Sequence, residues 1–133
     1  MKKYLVLFLS VLFLTGCGVS SSLTVNEIAQ KFKDEGLELG GVSDLPSKEF
    51  GDTRIEGIRI LINSLGEDSG GRLFKFKSEK DMENALNYYV ELGKSGPLFY
   101  SHTHSNGVYL LQMNGDMEDS EFKKYVEVMD SSL

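Results

Sequence analysis

Three segments of the chain place apolar residues at the spacing of one helix face. In the first segment these residues recur at i, i+3, i+4 and i+7, which predicts an amphipathic helix. Thr24 and Glu27 have the spacing of a capping box at its start, and Gly36 supplies its end. The same periodicity predicts a second helix from Ser78 to Gly93 and a third helix that opens at Asp116. The apolar positions are Val25, Ile28, Ala29 and Phe32; Met82, Ala85, Leu86 and Tyr89; and Phe122, Tyr125, Val126 and Met129.

The segments between the helices have the shorter patterns of strands. Residues 58–62 are rich in β-branched side chains, which predicts a strand. Phe alternates with Lys over residues 72–77, which predicts a strand with one face in solvent. Residues 98–104 and 108–113 flank an Asn-Gly pair, the strongest short-range signal for a β-hairpin.

A further strand is predicted to begin at residues 37–39, after the first helix. Residues 44–52 contain turn-forming residues without a sustained period, which indicates an irregular loop. The resulting order is α-β-β-β-α-β-β-α. This order predicts an α+β fold, an antiparallel sheet of about five strands with helices packed mainly on one face.

The N-terminal segment differs from the rest of the chain. Lys2 and Lys3 precede an apolar run over residues 4–14, and Leu14-Thr15-Gly16-Cys17 matches the bacterial lipobox. A basic region, a short apolar run and a small-residue cleavage site form a secretory signal. The run has about half of the roughly 20 residues that a membrane-spanning helix needs. The lipobox implies cleavage before Cys17 after its thiol has received a diacylglyceryl group; the alternative is an ordinary secretory signal with a free cysteine.

The signal divides the chain into three predicted parts. Residues 1–16 are the lipoprotein signal peptide, residues 17–22 are the lipidated cysteine and a tether, and residues 23–133 form a single α+β domain. The tether after Cys17 reaches only about 17 Å, so we expect the domain close to the bilayer. The predicted location is the extracytoplasmic face of the cell membrane, where the lipid anchor holds the protein.

The charge of the chain limits its partners. There are 14 basic and 20 acidic residues, a formal net charge of −6, and removal of Lys2 and Lys3 makes the mature chain more negative. Nucleic acids and anionic lipid surfaces both favour Lys and Arg, so nucleic-acid binding is disfavoured and the lipid must hold the domain at the membrane. Cys17 is the single cysteine, which excludes an intramolecular disulfide.

The segment Asp68-Ser69-Gly70-Gly71 resembles the sequence around the nucleophile of chymotrypsin-like serine proteases. That family places its His and Asp before the serine, whereas both histidines of this chain follow Ser69. A loop between two strands accounts for these residues. We therefore expect no catalytic residues and no enzymatic activity.

His102 and His104 lie two positions apart on a predicted strand, so both imidazoles point to one face, as a pair of zinc ligands would. No cysteine is available, and a third ligand would have to come from a distant segment such as Glu67-Asp68. Exposed hairpin histidines are the simpler interpretation, and we expect no metal or other cofactor. Residues 114–119 lack the spacing of a calcium loop.

An aromatic cluster could line a ligand pocket, form an interface or fill the core. We expect about two-thirds of it in the core, because a small domain needs large side chains there. The predicted surface members are Tyr88 and Tyr109. The cluster consists of Tyr88, Tyr89, Phe99, Tyr100 and Tyr109.

Together with the lipobox, residues 64–74, 96–102 and 111–116 resemble a family of small lipoproteins of Gram-positive bacteria. Some members are labelled only as stress proteins. Others resemble the exclusion lipoprotein of a Bacillus integrative and conjugative element. That protein acts on a membrane subunit of the mating machinery and stops a cell that holds the element from receiving it again. The resemblance implies a non-enzymatic protein and, as partner, a membrane subunit of a conjugation (type IV secretion) machine.

The leading hypothesis is a surface lipoprotein that binds a protein partner through exposed loops. These loops are residues 43–52, 67–69 and 104–106. The alternatives are an envelope lipoprotein that binds a small ligand or a metal, and a stress-related lipoprotein. The predicted partner-binding residues are Asp44, Lys48, Glu49, Asp52, Glu67, Asp68, His104 and Asn106.

Overall fold

The computed structural model describes residues 23–133. The predicted signal peptide, Cys17 and the tether lie outside the described residues. Among the helices within residues 23–133, none is both long and apolar enough to cross a membrane. The elements are α1 (Val25–Asp34), β1 (Gly41–Asp44), β2 (Arg54–Leu61), β3 (Gly70–Phe76), α2 (Glu79–Gly93), β4 (Ser101–Asn106), β5 (Tyr109–Asn114) and α3 (Asp119–Ser132).

The five strands form one antiparallel sheet with the order β1-β2-β3-β5-β4. Helices α1 and α3 pack together on one face of the sheet, and α2 packs on the other. The structure therefore confirms the predicted α+β fold and its element order. We call the two sides the α1/α3 face and the α2 face.

The α1/α3 face holds the larger part of the core. The rings of Phe32 and Tyr125 meet edge to face there, with their centroids 5.1 Å apart. The predicted apolar stripes of α1 and α3 supply this layer, since their buried residues are members of the stripes. Its main members are Val25, Ile28, Phe32, Ile58, Ile60, Leu73, Leu111, Met113, Tyr125 and Met129.

The α2 face is also covered, which corrects the prediction that β3 has one face in solvent. Phe74 and Phe76 are buried against α2, while Leu73, the residue before Phe74, is buried on the opposite face. Strand β3 lies near the middle of the sheet, so helices cover both of its sides. The layer consists of Leu45, Phe74, Phe76, Met82, Ala85, Tyr89 and Leu110.

Two strand predictions were displaced along the chain. The first strand is β1 (Gly41–Asp44) and does not begin at residues 37–39, because the Leu37 N–H donates to Phe32 O at 2.9 Å and closes the end of α1. Residues 97–99 form a short 3₁₀ helix, so β4 begins only at Ser101. In both segments, helix-type hydrogen bonds form where strand pairing was predicted.

The hairpin turn and the start of α3 also differ from the predictions. Asn106 pairs with Tyr109, so the two-residue loop is Gly107-Val108, one position later than predicted. Gly107 has φ +60°, as the first position of a type II′ turn requires. The last helix begins at Asp119 and not at Asp116, because Asn114 Oδ1 accepts from the Asp116 N–H at 2.8 Å and forms a turn there.

The strand register defines two opposite ends of the sheet. Leu23 lies near the hairpin loop, where its carbonyl accepts from Tyr109 Oη at 2.6 Å, and we call this the tether end of the sheet. At the opposite end, Gly70 pairs with Leu61 and Ser101 pairs with Asn114. We call this the distal end; it lies about 20 Å from the tether end, the length of six strand residues.

Candidate functional site

A cavity of about 310 Å³ lies on the α2 face at the distal end of the sheet. Arg59, Arg72 and Gln112 form its floor, on strands β2, β3 and β5. Leu92 of α2 and Leu98 of the 3₁₀ helix contribute to the opposite wall. The cavity therefore combines a charged floor with an apolar wall.

The floor follows from the register of the sheet. Arg59 pairs directly with Arg72 across β2 and β3, and Arg72 pairs with Gln112 across β3 and β5. Side chains directly opposite each other in an antiparallel pair lie on the same face, and like charges in this arrangement are destabilising. The sheet thus carries two guanidinium groups side by side, in a chain whose net charge is −6.

Within residues 23–133, the hydrogen bonds of the two arginines leave several of their donors without a partner. Arg59 Nη2 donates to the backbone carbonyl of Asp68. Arg72 Nη1 is 3.5 Å from Gln112 Oε1, a long contact, and Gln112 Nε2 donates to Ser101 Oγ at 2.9 Å. Each guanidinium has five N–H donors, so both could accept an additional anionic partner.

Arg72 Nε is buried and makes no hydrogen bond within the described residues. Its nearest anionic neighbour is Glu49 Oε2 at 3.3 Å, close enough for an ion pair but out of line for a hydrogen bond. The distance alone would suggest a satisfied pair; the direction of the N–H is the better guide, because hydrogen bonds weaken steeply when misaligned. Glu49 therefore pairs with Arg72 electrostatically but leaves the Nε–H without a hydrogen bond.

The wall of the cavity is apolar and exposed. Leu98 is 94% exposed, and Phe99 and Tyr100 are each about half exposed. Leu98 and Phe99 belong to the 3₁₀ helix Pro97–Phe99. Gly96 precedes this helix, and its carbonyl accepts from the Phe99 N–H at 3.0 Å. A Cβ on Gly115 would lie 2.4 Å from Tyr100 O, so the absence of a side chain there lets the segment pack closely against β5.

A second cavity of about 420 Å³ adjoins the first, and both share Arg72, Tyr89 and Leu92. Lys48, Glu49, Phe50 and Tyr88 complete it. Burial raises the pKa of Tyr89 to about 12, and the charge of nearby Arg72 opposes this effect only in part. The Tyr89 hydroxyl is therefore neutral over the physiological range and can act as a hydrogen-bond donor.

The structure does not bring all of the predicted partner-binding residues together in one place. Lys48, Glu49 and Asp68 line the two distal cavities. Asp44, Asp52 and Glu67 are exposed at the end of β1, in the 3₁₀ helix Gly51–Thr53 and in the turn before β3. His104 and Asn106 lie at the tether end, bonded to Asp130 of α3.

The histidine pair lies on one face of β4, as predicted, but only His104 is accessible. His102 is 6% exposed; its ring stacks on Phe122 with centroids 4.9 Å apart, and its Nε2 is 2.7 Å from Met117 O. The prediction that both histidines are exposed was therefore wrong for His102, because α3 covers it. Within residues 23–133, no cluster of three or more His, Cys, Asp or Glu side chains is placed to hold a metal ion.

The aromatic cluster divides differently from the prediction. Tyr89 is buried and Tyr88 is exposed, as expected. Tyr109 is buried although it was predicted at the surface, because its hydroxyl bonds to the start of α1. Phe99 and Tyr100 remain half exposed, so they contribute to the surface beside the cavity.

Ser69 lies at the rim of the first cavity, in the turn between β2 and β3. Gly70 and Gly71 are part of β3 and not of the predicted loop. A Cβ on Gly71 would lie 2.2 Å from Gln112 O, so a side chain there would clash with β5. Both histidines project from the opposite face of the sheet.

A family model for the prokaryotic membrane lipoprotein lipid attachment site matches residues 1–17. This match supports attachment of the chain to a bacterial membrane through a lipid. No curated protein and no solved structure matches it significantly. The three segments that carry the resemblance described above, residues 64–74, 96–102 and 111–116, each contribute to the lining of the first cavity. The sequence reasoning named these segments, but it could not show that they meet.

Proposed function

We propose that this lipoprotein is a non-enzymatic binding protein on the extracytoplasmic face of the cell membrane, and that it binds a protein partner through its distal apolar surface. This surface consists of Tyr88, Leu98, Phe99 and Tyr100. The observation that carries the proposal is the 94% exposure of Leu98, which is followed in the chain by the half-exposed Phe99 and Tyr100. Contiguous exposed apolar side chains mark interaction sites on soluble domains, and aromatic residues are enriched at interfaces.

The end of the sheet at which the chain enters the domain agrees with this proposal. Leu23, six residues after Cys17 in the chain, lies at the tether end, whereas the distal apolar surface lies at the other end of the sheet. A short tether holds the tether end close to the bilayer. The distal surface then faces away from the bilayer, toward the extracytoplasmic part of a membrane protein.

The more specific proposal is exclusion, in which the lipoprotein acts on a membrane subunit of a conjugation machine and blocks redundant transfer. Its support is the resemblance stated above, together with the convergence of the three resembling segments beside the distal apolar surface. The wider alternative is a stress-related lipoprotein with another partner. Mating experiments distinguish the two.

The experiment measures the transfer frequency of the conjugative element into recipient cells that make the lipoprotein. We expect the wild-type protein to lower the frequency and Leu98→Asp to restore it, because a charge at Leu98 would have to be desolvated in the interface. The matched control is Ile55→Asp. Ile55 is an exposed apolar residue at the tether end, and this variant should still exclude.

Equal exclusion by the Leu98→Asp and wild-type proteins would contradict the use of the distal surface. An unchanged transfer frequency with the wild-type protein would reject exclusion and leave a different partner to be found. Membrane fractions from all three strains must contain equal amounts of the lipoprotein. This control separates lost binding from lost protein.

A further inference from the structure

We infer that the first distal cavity is a binding site for a single carboxylate group carried on an apolar body. The carboxylate would lie between the guanidinium groups of Arg59 and Arg72, and the apolar body would lie against Leu92, Leu98 and Phe99. This inference does not depend on the proposed protein partner. It rests on the charges, the hydrogen bonds and the shape of the cavity.

The first argument is the arginine pair itself. Arg59 and Arg72 stand directly opposite each other on neighbouring strands, an arrangement that costs free energy unless an anion lies between them. Arg59 is bonded to a neutral carbonyl, and the buried Nε of Arg72 lacks a hydrogen bond within the described residues. A bound carboxylate would accept from the remaining Nη donors of the two guanidinium groups, since the planar guanidinium matches both oxygens of a carboxylate.

The second argument concerns the charge of the ligand. Glu49 lies 3.3 Å from Arg72, and the exposed Asp68 contributes to the rim. These carboxylates offset part of the arginine charge, so the cavity favours a single negative charge over a doubly charged phosphate. Ser101 Oγ accepts from Gln112, which leaves the Ser101 hydroxyl hydrogen for the ligand.

The third argument is the size and the wall of the cavity. A volume of about 310 Å³ is at the lower end of the range for small-molecule sites, roughly 300–1,000 Å³. Leu92, Leu98 and Phe99 oppose the arginines and offer an apolar surface. A small aromatic or aliphatic acid fits both features, and so does the C-terminal carboxylate of a peptide that ends in an apolar residue.

The test is isothermal titration calorimetry on the full lipidated protein in detergent micelles. The probes are phenylacetate, its neutral isostere phenylacetamide, and phenyl phosphate. We expect phenylacetate to bind about 10-fold to 100-fold more tightly than phenylacetamide, the difference that hydrogen bonds to a charged group produce. A peptide that ends in phenylalanine, with a free or an amidated C-terminus, distinguishes the source. Tighter binding of the free peptide than of phenylacetate identifies a chain end as the ligand.

Three variants assign the binding to the cavity. Arg72→Gln should weaken phenylacetate binding by about 10-fold or more, because it removes a charged donor. Glu49→Gln should strengthen it, because the internal competitor for Arg72 is lost. Lys77→Gln removes the same charge from an exposed site at the tether end and should leave binding unchanged.

Several results would overturn the inference. These are equal affinity for phenylacetate and phenylacetamide, stronger binding of phenyl phosphate, or no effect of Glu49→Gln together with intact binding in Arg72→Gln. Undetectable binding of every carboxylate probe at about 10 mM would also overturn it. If Arg72→Gln fails to fold, the comparison of acid with amide on the wild-type protein still decides.

Discussion

Asp130 on α3 bonds to two side chains of β4. Its Oδ1 accepts from Asn106 Nδ2 at 3.0 Å and lies 2.8 Å from His104 Nε2. Burial alone would raise the pKa of Asp130, but the hydrogen bonds from His104 and Asn106 hold it below its ordinary value of 3.8. A carboxyl group with a depressed pKa stabilises the folded state above its unfolded-state pKa, and this stability is lost as the pH falls through the folded-state pKa.

Asp130→Asn should therefore destabilise the protein near pH 6 and have a smaller effect below pH 3.8. Asp130 is largely solvated, so the expected loss is that of an exposed pair, about 0.2–1 kcal/mol, or a decrease in Tm of about 1–5 °C. Thermal unfolding of both proteins from pH 6 to pH 2 measures this difference.

Asp116→Asn is the control, because Asp116 is exposed and its carboxylate makes no hydrogen bond or ion pair among residues 23–133. A Tm difference for Asp130→Asn that stays constant from pH 6 to pH 2 would contradict the assigned pKa shift. An equal effect of both variants would show that only net charge matters.

Single residues were predictable where their contacts are local in sequence. Thr24 and Glu27 form the capping box that their spacing predicted. Arg59 and Arg72 were not recognised as a pair, because their adjacency depends on the register across a long β2–β3 connection. His102 was expected to be exposed, since nothing in its own segment shows that α3 packs over it.

At the scale of elements, Phe50 attaches the β1–β2 loop to the α2 face. Its ring contacts four aromatic rings edge to face, with centroid distances of 5.3–6.0 Å. The residue has φ +61°, a conformation that a bulky side chain rarely adopts. The packing of the ring therefore holds a locally unfavourable backbone. The neighbouring rings are those of Phe74, Phe76, Tyr88 and Tyr89.

Phe50→Ala should lower the free energy of unfolding by about 1–3 kcal/mol, less than for a fully buried phenylalanine because the ring is partly exposed. It should also increase hydrogen exchange in residues 45–52 with little change in α1. Urea unfolding and exchange measured by mass spectrometry test both expectations.

Ile55→Ala is the matched control, since Ile55 is exposed and should change stability by less than about 0.5 kcal/mol. If Phe50→Ala were no more destabilising than this control, the loop would be held by other contacts. Unchanged exchange in residues 45–52 would lead to the same conclusion.

Helices were predicted more accurately than strands for a physical reason. The stripes and caps of α1 and α2 are encoded within each segment, and both helices end where predicted. Strands depend on distant partners. The predicted start of β1 was therefore too early in the chain, and the 3₁₀ helix Pro97–Phe99 was predicted as part of β4. Helix α3 begins later in the chain than predicted, because Asn114 forms a turn that the sequence pattern did not reveal.

At the scale of the whole molecule, the proposed function assigns anchoring and binding to opposite ends of the sheet. The tether end receives the chain from the lipidated segment, and the distal end carries the cavities and the apolar surface. The sequence predicted the fold class and the anchor, whereas the site required the three-dimensional meeting of β2, β3, β5 and the 3₁₀ helix. Residues 43–52 and 67–69 were selected from exposure, and the structure places Lys48, Glu49 and Asp68 beside this site.

The central claim is that an anchored lipoprotein binds a membrane protein through its distal apolar surface. The most direct test is photo-crosslinking in cells from position 98, with position 55 at the tether end as the control. We expect position 98 to capture a polytopic membrane protein that position 55 does not capture. Cys17→Ala should release the lipoprotein from the membrane fraction and abolish the adduct, because the charge of the domain does not favour membrane binding. Equal capture from both positions, or no membrane-protein adduct from position 98, would contradict the claim.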